Sequence, residues 1–287
     1  MKALFPAGLN GRVAAVLLLA CAAVSSTPAA EFPQGLMLHF NFDEAASAGV
    51  IPDRTGRGNN GRVTGAAWTS AGKRGGAYEF ASTNSCLHVT NAPSLNLKKA
   101  TFAAWFKTSK SEAGGRSILG KMPDRGYALG IAGDSTNGPS AGRVRFAVND
   151  HVCLGDSNVT DGAWHHAAGA YDGESLKLYV DGQLQKQVAL WRGEIAAGDS
   201  NLTIGMNESC PVPQENGRSF DGAIDELMIF DHALSDAEVG AVVAFVKPKF
   251  TKDQTARRRA ELKELLDRGL ILQDFYDRKV KEYEVSP

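Results

Sequence analysis

Two pairs of adjacent residues carry most of the chemistry this sequence could perform: His165-His166 and Asp225-Glu226. A carboxylate pair can cleave a glycosidic bond with retention if one group is the nucleophile and the other the acid/base, about 5 Å apart. Asp225 and Glu226 lie in Ala223-Ile224-Asp225-Glu226-Leu227, an apolar string that reads as a strand. Neighbours in a strand point to opposite faces, so the sheet is expected to divide this pair. The same rule divides His165 from His166 and stops them from chelating one metal. His39, His88, His151 and His232 show no metal-ligand spacing. There is no Gly-x-Ser-x-Gly elbow and no phosphate loop.

The elements that hold these residues are short strands. In 161–182, two nearly alternating apolar runs are bounded by Asp161-Gly162, Asp172-Gly173 and Asp181-Gly182. Asp-Gly pairs accept the positive φ of tight hairpin turns, so the runs read as antiparallel strands. Further strands are expected at Leu36–Phe42, Ala77–Ala81, Leu87–Thr90, Thr101–Lys107, Ser117–Gly120, Tyr127–Ile131, Val144–Asn149 and Val152–Leu154, then at Gln187–Leu190, Leu202–Gly205 and Ala223–Phe230. Many short strands with almost no helix argue for an all-β sandwich or jelly roll. Of 287 residues, 43% are hydrophobic and 22% charged, enough for a sizeable core, and the net charge of −1 gives no reason to expect a nucleic-acid partner. No repeat of solenoid length occurs.

In order along the chain stand FNFDE (40–44), DRTGRGNNG (53–61), AYEF (77–80), TFAAWFKT (101–108), GYALGI (126–131), WHHAAGAYDG (164–173), LKLYVDG (176–182), LTIG (202–205) and FDGAIDELMIFDHALSDAEV (220–239). Over roughly 35–245 this series resembles the laminin-G-like, concanavalin A-like lectin/glucanase family. The resemblance implies an antiparallel two-sheet jelly roll that serves mostly as a binding scaffold. Glucanases of this fold carry a Glu-x-Asp-x-(x)-Glu strand; here Ala223 replaces the first carboxylate, which points away from hydrolysis. Laminin-G and pentraxin relatives hold calcium in loops at one end of the concave sheet. The corresponding loops supply Asp124, Asn207 and Glu208, hard oxygen donors suited to that ion. Arg125 follows Asp124 and could replace the ion by pairing with Glu208. A glycan would need exposed aromatic faces; Tyr127, Trp191 and Phe220 are the candidates, with Arg125 beside them, whereas Trp105 and Trp164 read as core.

Cys86, Cys153 and Cys210 allow three pairings, or none. A turn at Asn149-Asp150 returns Cys153 toward the 127–131 strand, and the family places the 206–210 loop near that edge, so a Cys153–Cys210 disulfide is favoured. A basic start, the apolar run Val13–Val24 and small residues to Ala30 read as a secretory signal over 1–30. Leu18-Leu19-Ala20-Cys21 also resembles a lipobox, which would tether the chain to a membrane through a lipidated Cys21. The jelly roll is expected over 31–246, with Ser235 capping a short helix near its end. A linker follows at 247–256. Residues 257–287 show helical periodicity broken at Gly269, a left-handed C-cap. AELKELLDRGLILQDFYDRKVKEY (260–283) resembles the bacterial short C-terminal domain SHOCT, departing from it at Leu272. So small a hairpin needs a partner, a second copy of the chain or another protein of the envelope or matrix. Arg257-Arg258-Arg259 reads as a solvated helix start, because acidic residues are interleaved.

Overall fold

The computed structural model describes residues 33–81, 85–110, 116–122, 125–133, 140–189, 193–206, 220–245 and 252–280, the last without 274–275 and 278–279. Its first strands are β1 (Leu36–Phe40), β2 (Val50–Ile51), β3 (Gly61–Thr64), β4 (Ala67–Thr69), β5 (Ala77–Phe80) and β6 (Cys86–Val89). The middle of the chain adds β7 (Ala100–Lys107), β8 (Arg116–Lys121), β9 (Tyr127–Ile131), β10 (Arg143–Val148) and β11 (His151–Asn158). Then come β12 (Trp164–Tyr171), β13 (Ser175–Val180), β14 (Gln183–Ala189), β15 (Leu202–Ile204) and β16 (Gly222–Phe230), followed by helices α1 (Asp236–Ala244) and α2 (Lys252–Asp267). Two eight-stranded antiparallel sheets result. One runs β14-β13-β12-β7-β16-β5-β4 with β1 also on β16; the other runs β11-β10-β9-β8-β15-β6-β3-β2.

The inward faces make one core. Phe102, Ala104 and Phe106 of β7 meet Phe146 of β10 and Tyr127 and Leu129 of β9 between the sheets. Gly169 of β12 faces this layer because a methyl there would overlap the Phe146 ring. The first sheet is buried on its outer face too. Ala103, Ala168 and Ala170 form a floor low enough for α1, which seats Leu234, Val239 and Val242 against Tyr179, Met228 and Phe230. Ser235 opens that helix with both halves of a capping box, its hydroxyl accepting the Glu238 N–H while Glu238 returns to the Ser235 N–H.

β16 departs from regular alternation. Its register against β7 shifts between Asp225 and Met228, and Glu226 adopts φ 48° in the left-handed region. This is a β-bulge, which places one extra residue in the strand. Gly269 ends α2 with φ 67°, its N–H bonding Leu266 O while Leu270 N–H bonds Leu265 O, as the expected left-handed cap requires. Among the described residues no helix is long and apolar enough to cross a membrane.

Three short strands, β2 to β4, were not anticipated. Their two to four residues carry no usable periodicity, and the sheet neighbours β5 and β6 define them. β14 begins directly after Asp181-Gly182, and β11 continues to Asn158, so both edge strands are longer than their apolar residues suggest.

Candidate functional site

The bulge reverses one expectation. Asp225 and Glu226 do not lie on opposite faces, because the extra residue turns both outward beneath the loop 70–76. Asp225 is 0% exposed; its Oδ2 accepts the Arg74 N–H at 2.8 Å and its Oδ1 the Glu226 N–H at 2.7 Å. Glu226 is 1% exposed and its Oε2 meets His39 Nε2 at 2.7 Å. Arg74 joins the group. Its guanidinium stands 5.6 Å from the Trp105 ring and 5.7 Å from Phe245, and it donates to Val243 O at the end of α1. Burial pulls the Arg74 pKa down, while the Glu226 and Asp225 carboxylates oppose the shift.

The histidine pair is divided as alternation requires, with the buried member on the outer face. His166 packs edge-on against Trp105, with ring centroids 5.3 Å apart, and among the described residues neither ring nitrogen has a hydrogen-bond partner. Burial drives its pKa down to about 3, the Arg74 charge adding to the shift. His165 is half-buried between two carboxylates, Nδ1 at 2.8 Å from Asp181 and Nε2 at 3.1 Å from Asp161. Desolvation pulls its pKa down, but the two hydrogen-bonded carboxylates prevail and raise it. Asp181 therefore serves both histidines, since its second oxygen accepts the His166 N–H at 2.8 Å. Among the described residues, no three His, Cys, Asp or Glu side chains are grouped as a metal ion would require.

The binding candidates separate into three groups. Tyr127 and Phe220 are core residues and cannot stack on a sugar: Tyr127 lies against Phe102 at 4.1 Å, and Phe220 sits edge-on to Phe80 and Phe106. Both are aromatic because the core between the sheets needs volume. Arg125 is exposed and pairs with Asp150 at 2.8 Å across the β10–β11 turn. Trp191, Asp124, Asn207 and Glu208 lie outside the described residues. Near the β8–β9 connection a buried protein cation is already in place: Lys121 Nζ donates to Asn96 Oδ1 at 2.8 Å and to Gly198 O. The loop 53–61 is held by its own backbone contacts. Asp53 accepts from His39 N–H, Thr55 N–H and Asn59 N–H, and this ties the loop to β1.

The expected Cys153–Cys210 disulfide is overturned. Cys153 is a free thiol facing the core from β11, and burial pushes its pKa up to about 11, with Lys186 opposing and Asp156 reinforcing. It packs into the core from the edge strand, opposite Phe146 in register. Cys86, on the outer face of the second sheet beside Met206, is the disulfide-bonded one.

Sequence reasoning missed Trp68. It is exposed, at 38%, yet fixed: its indole N–H donates to Phe42 O at 2.8 Å, and Gly76 is bare beneath it because a Cβ there would strike the ring. A three-residue strand offered no pattern by which to separate it from the core tryptophan Trp105.

Comparison with known proteins places this geometry in context. The family described as the concanavalin A-like lectin/glucanases superfamily matches residues 80–240. No curated protein matches by sequence. Among solved structures, the chain is similar to domain 4 of AbnA, a GH43 extracellular arabinanase from Geobacillus stearothermophilus, in complex with arabinotriose. The TM-score is 0.56 at 20% identity, over 72% of this chain and 98% of that one. It is similar to the binding domain of Paraclostridial Mosquitocidal Protein 1, with TM-score 0.57 and 15% identity over 73% of this chain and 52% of that one. The binding domain of botulinum neurotoxin DC in complex with rat synaptotagmin II gives TM-score 0.55 and 12% identity, over 75% and 52%. The chain thus spans about half the length of these toxin domains, and at such identities the likeness is one of fold.

Proposed function

The chain belongs to the concanavalin A-like lectin/glucanase superfamily, and from that premise we propose that it is an exported, non-catalytic binding module for a glycan or a protein surface. The observation that carries the reading is the burial of Asp225 and Glu226. A glycosidase must bring both carboxylates to the sugar, whereas these two are committed to the Arg74 backbone and to His39 inside the fold. Binding falls to loops at the concave face, with Trp191 among them. Trp68 adds a rigid indole of the kind that stacks on a pyranose or furanose ring.

Calcium assists binding in this proposal, held by Asp124, Asn207 and Glu208. Carboxylate and amide oxygens are the donor chemistry the ion prefers, with backbone carbonyls or water completing the shell. Arg125, engaged with Asp150, is not required as a substitute for the ion. Export rests on the signal-like residues 1–30, lipidation at Cys21 being the variant that would add a membrane anchor.

A second reading, an assembly protein, is favoured by Leu270 and Leu272, which stand exposed just beyond α2. Self-association through the SHOCT-like helices would cover them. The test that separates the readings uses the exported chain in two assays. Retention on polysaccharide and envelope fractions, weakened about tenfold or more by Trp68→Ala, supports glycan binding. An oligomer in light scattering that dissociates on deletion of 247–287, without retention on any fraction, supports assembly.

A further inference from the structure

α1 is attached to the jelly roll at both ends by different means. At its start the capping box and the apolar residues Leu234 and Val239 hold it. At its end polar and aromatic contacts join the buried Val242: Arg74 donates to Val243 O, and its guanidinium stands near Trp105 and Phe245. The bare Gly182 of the Asp181-Gly182 turn faces Val243, whose side chain an added methyl would meet in ordinary van der Waals contact.

His166 lies beside these groups. It is 1% exposed, has no hydrogen-bond partner among the described residues on either ring nitrogen, and abuts Trp105, whose ring also carries the Lys73 ammonium at 4.2 Å. We propose that the end of α1 is a proton-sensitive latch in which His166 is the sensor and Arg74 the holding group. An imidazolium here would be a third cation beside Lys73 and Arg74. The nearby anions are already engaged: Asp181 by His165 and the His166 N–H, Asp225 by Arg74 N–H and Glu226 N–H, and Glu226 by His39. From α1 the neutral Val243 carbonyl meets Arg74. Charging His166 is therefore relieved by outward movement of Arg74, which releases the Val243 carbonyl and frees Phe245. The α1 start, buried through its apolar residues, stays seated.

The size of the effect follows from linkage. A histidine titrating at about 3 when closed and at its ordinary 6.5 when open multiplies the opening equilibrium about 30-fold between about pH 7.5 and about pH 5. Native-state amide exchange of the full chain reads this directly, after correction for the intrinsic pH dependence of exchange. Amides of 240–245 should lose protection about 30-fold and exchange through an opening well below the global unfolding free energy, at which those of β10 exchange. His166→Asn should reduce the change to under about threefold, and Arg74→Met should show the loosened helix end already at neutral pH with no further rise on acidification. Three results would overturn the latch: a wild-type change below about threefold, protection of 240–245 equal to that of β10 at both pH values, or the same rise in His166→Asn. Should one variant fail to fold, the other and the wild-type titration still decide.

Discussion

Replacing Gly169 by alanine tests the packing between the sheets. Gly169 lies in β12 with its bare face toward β10, where the added methyl would overlap the Phe146 ring. Both positions are fully buried, and Phe146 is held in turn by Phe102 at 5.9 Å, so the ring cannot retreat into a void. Overpacking of this kind costs about 1–3 kcal/mol. For a domain of this size that corresponds to a fall in Tm of roughly 3–10 °C. The assay is urea unfolding with the m-value held constant between variants, so that a lower midpoint reports stability alone. Phe146→Leu shortens the ring and should cost roughly 1–2 kcal/mol by itself. The double variant should be more stable than the sum of the singles by about 1–2 kcal/mol, because the leucine makes room for the methyl. Additive behaviour, or a Gly169→Ala variant within about 0.5 kcal/mol of wild type, would show that Phe146 does not rest on Gly169 and that the sheets are not in the described register.

Other expectations are independent of that one. Saturating calcium should raise Tm by roughly 5–10 °C, since a hundredfold excess over Kd is worth about 2.7 kcal/mol; Asp124→Ala should abolish the rise, and an unchanged Tm in wild type removes calcium from the account. His166 gives stability an acid limb: its folded pKa is about 3, below the ordinary 6.5, so the unfolded chain binds the extra proton and stability falls as pH drops from 6.5 toward 3. At about pH 5 the loss is about 2 kcal/mol, countered in part by His165, whose raised pKa makes its protonation favour folding; His166→Leu should flatten the limb. Ser235→Ala removes the capping hydroxyl from α1 and should cost about 1 kcal/mol in urea unfolding. Cys153 should resist alkylation by iodoacetamide in the native protein and react fully in denaturant; rapid native reaction would contradict its inward position.

What could be seen beforehand follows the range over which each signal acts. Asp181-Gly182 announces its turn because φ of 51° and 80° suits few other residue pairs, and the alternation on either side fixes β13 and β14. Ser235 and Gly269 are similarly local, since each satisfies backbone groups within one helical turn. Glu226 shows the opposite case. A bulge adds a residue without a residue type to mark it, and strict alternation therefore assigned Asp225 and Glu226 to different faces. Burial of the outer face by α1 was equally hidden, because Ala103, Ala168 and Ala170 look neutral until a helix is laid on them. Aromatic type does not distinguish platform from core: Tyr127 and Phe220 fill the space between sheets, while Trp68, the exposed indole, comes from a strand too short to read. The cysteine pairing failed for a related reason, since proximity at a sheet edge says nothing about whether Cys153 faces inward.

The claim that the chain binds without catalysing is tested most directly by one titration. The full chain is mixed with soluble polysaccharides, and binding heat and released reducing ends are followed in the same samples. The account predicts saturable heat with at least one glycan or envelope fraction, weakened by Trp68→Ala, and no release of reducing ends. Release that disappears in Asp225→Asn or Glu226→Gln variants that still fold would contradict it, because those buried carboxylates would then have to reach the substrate.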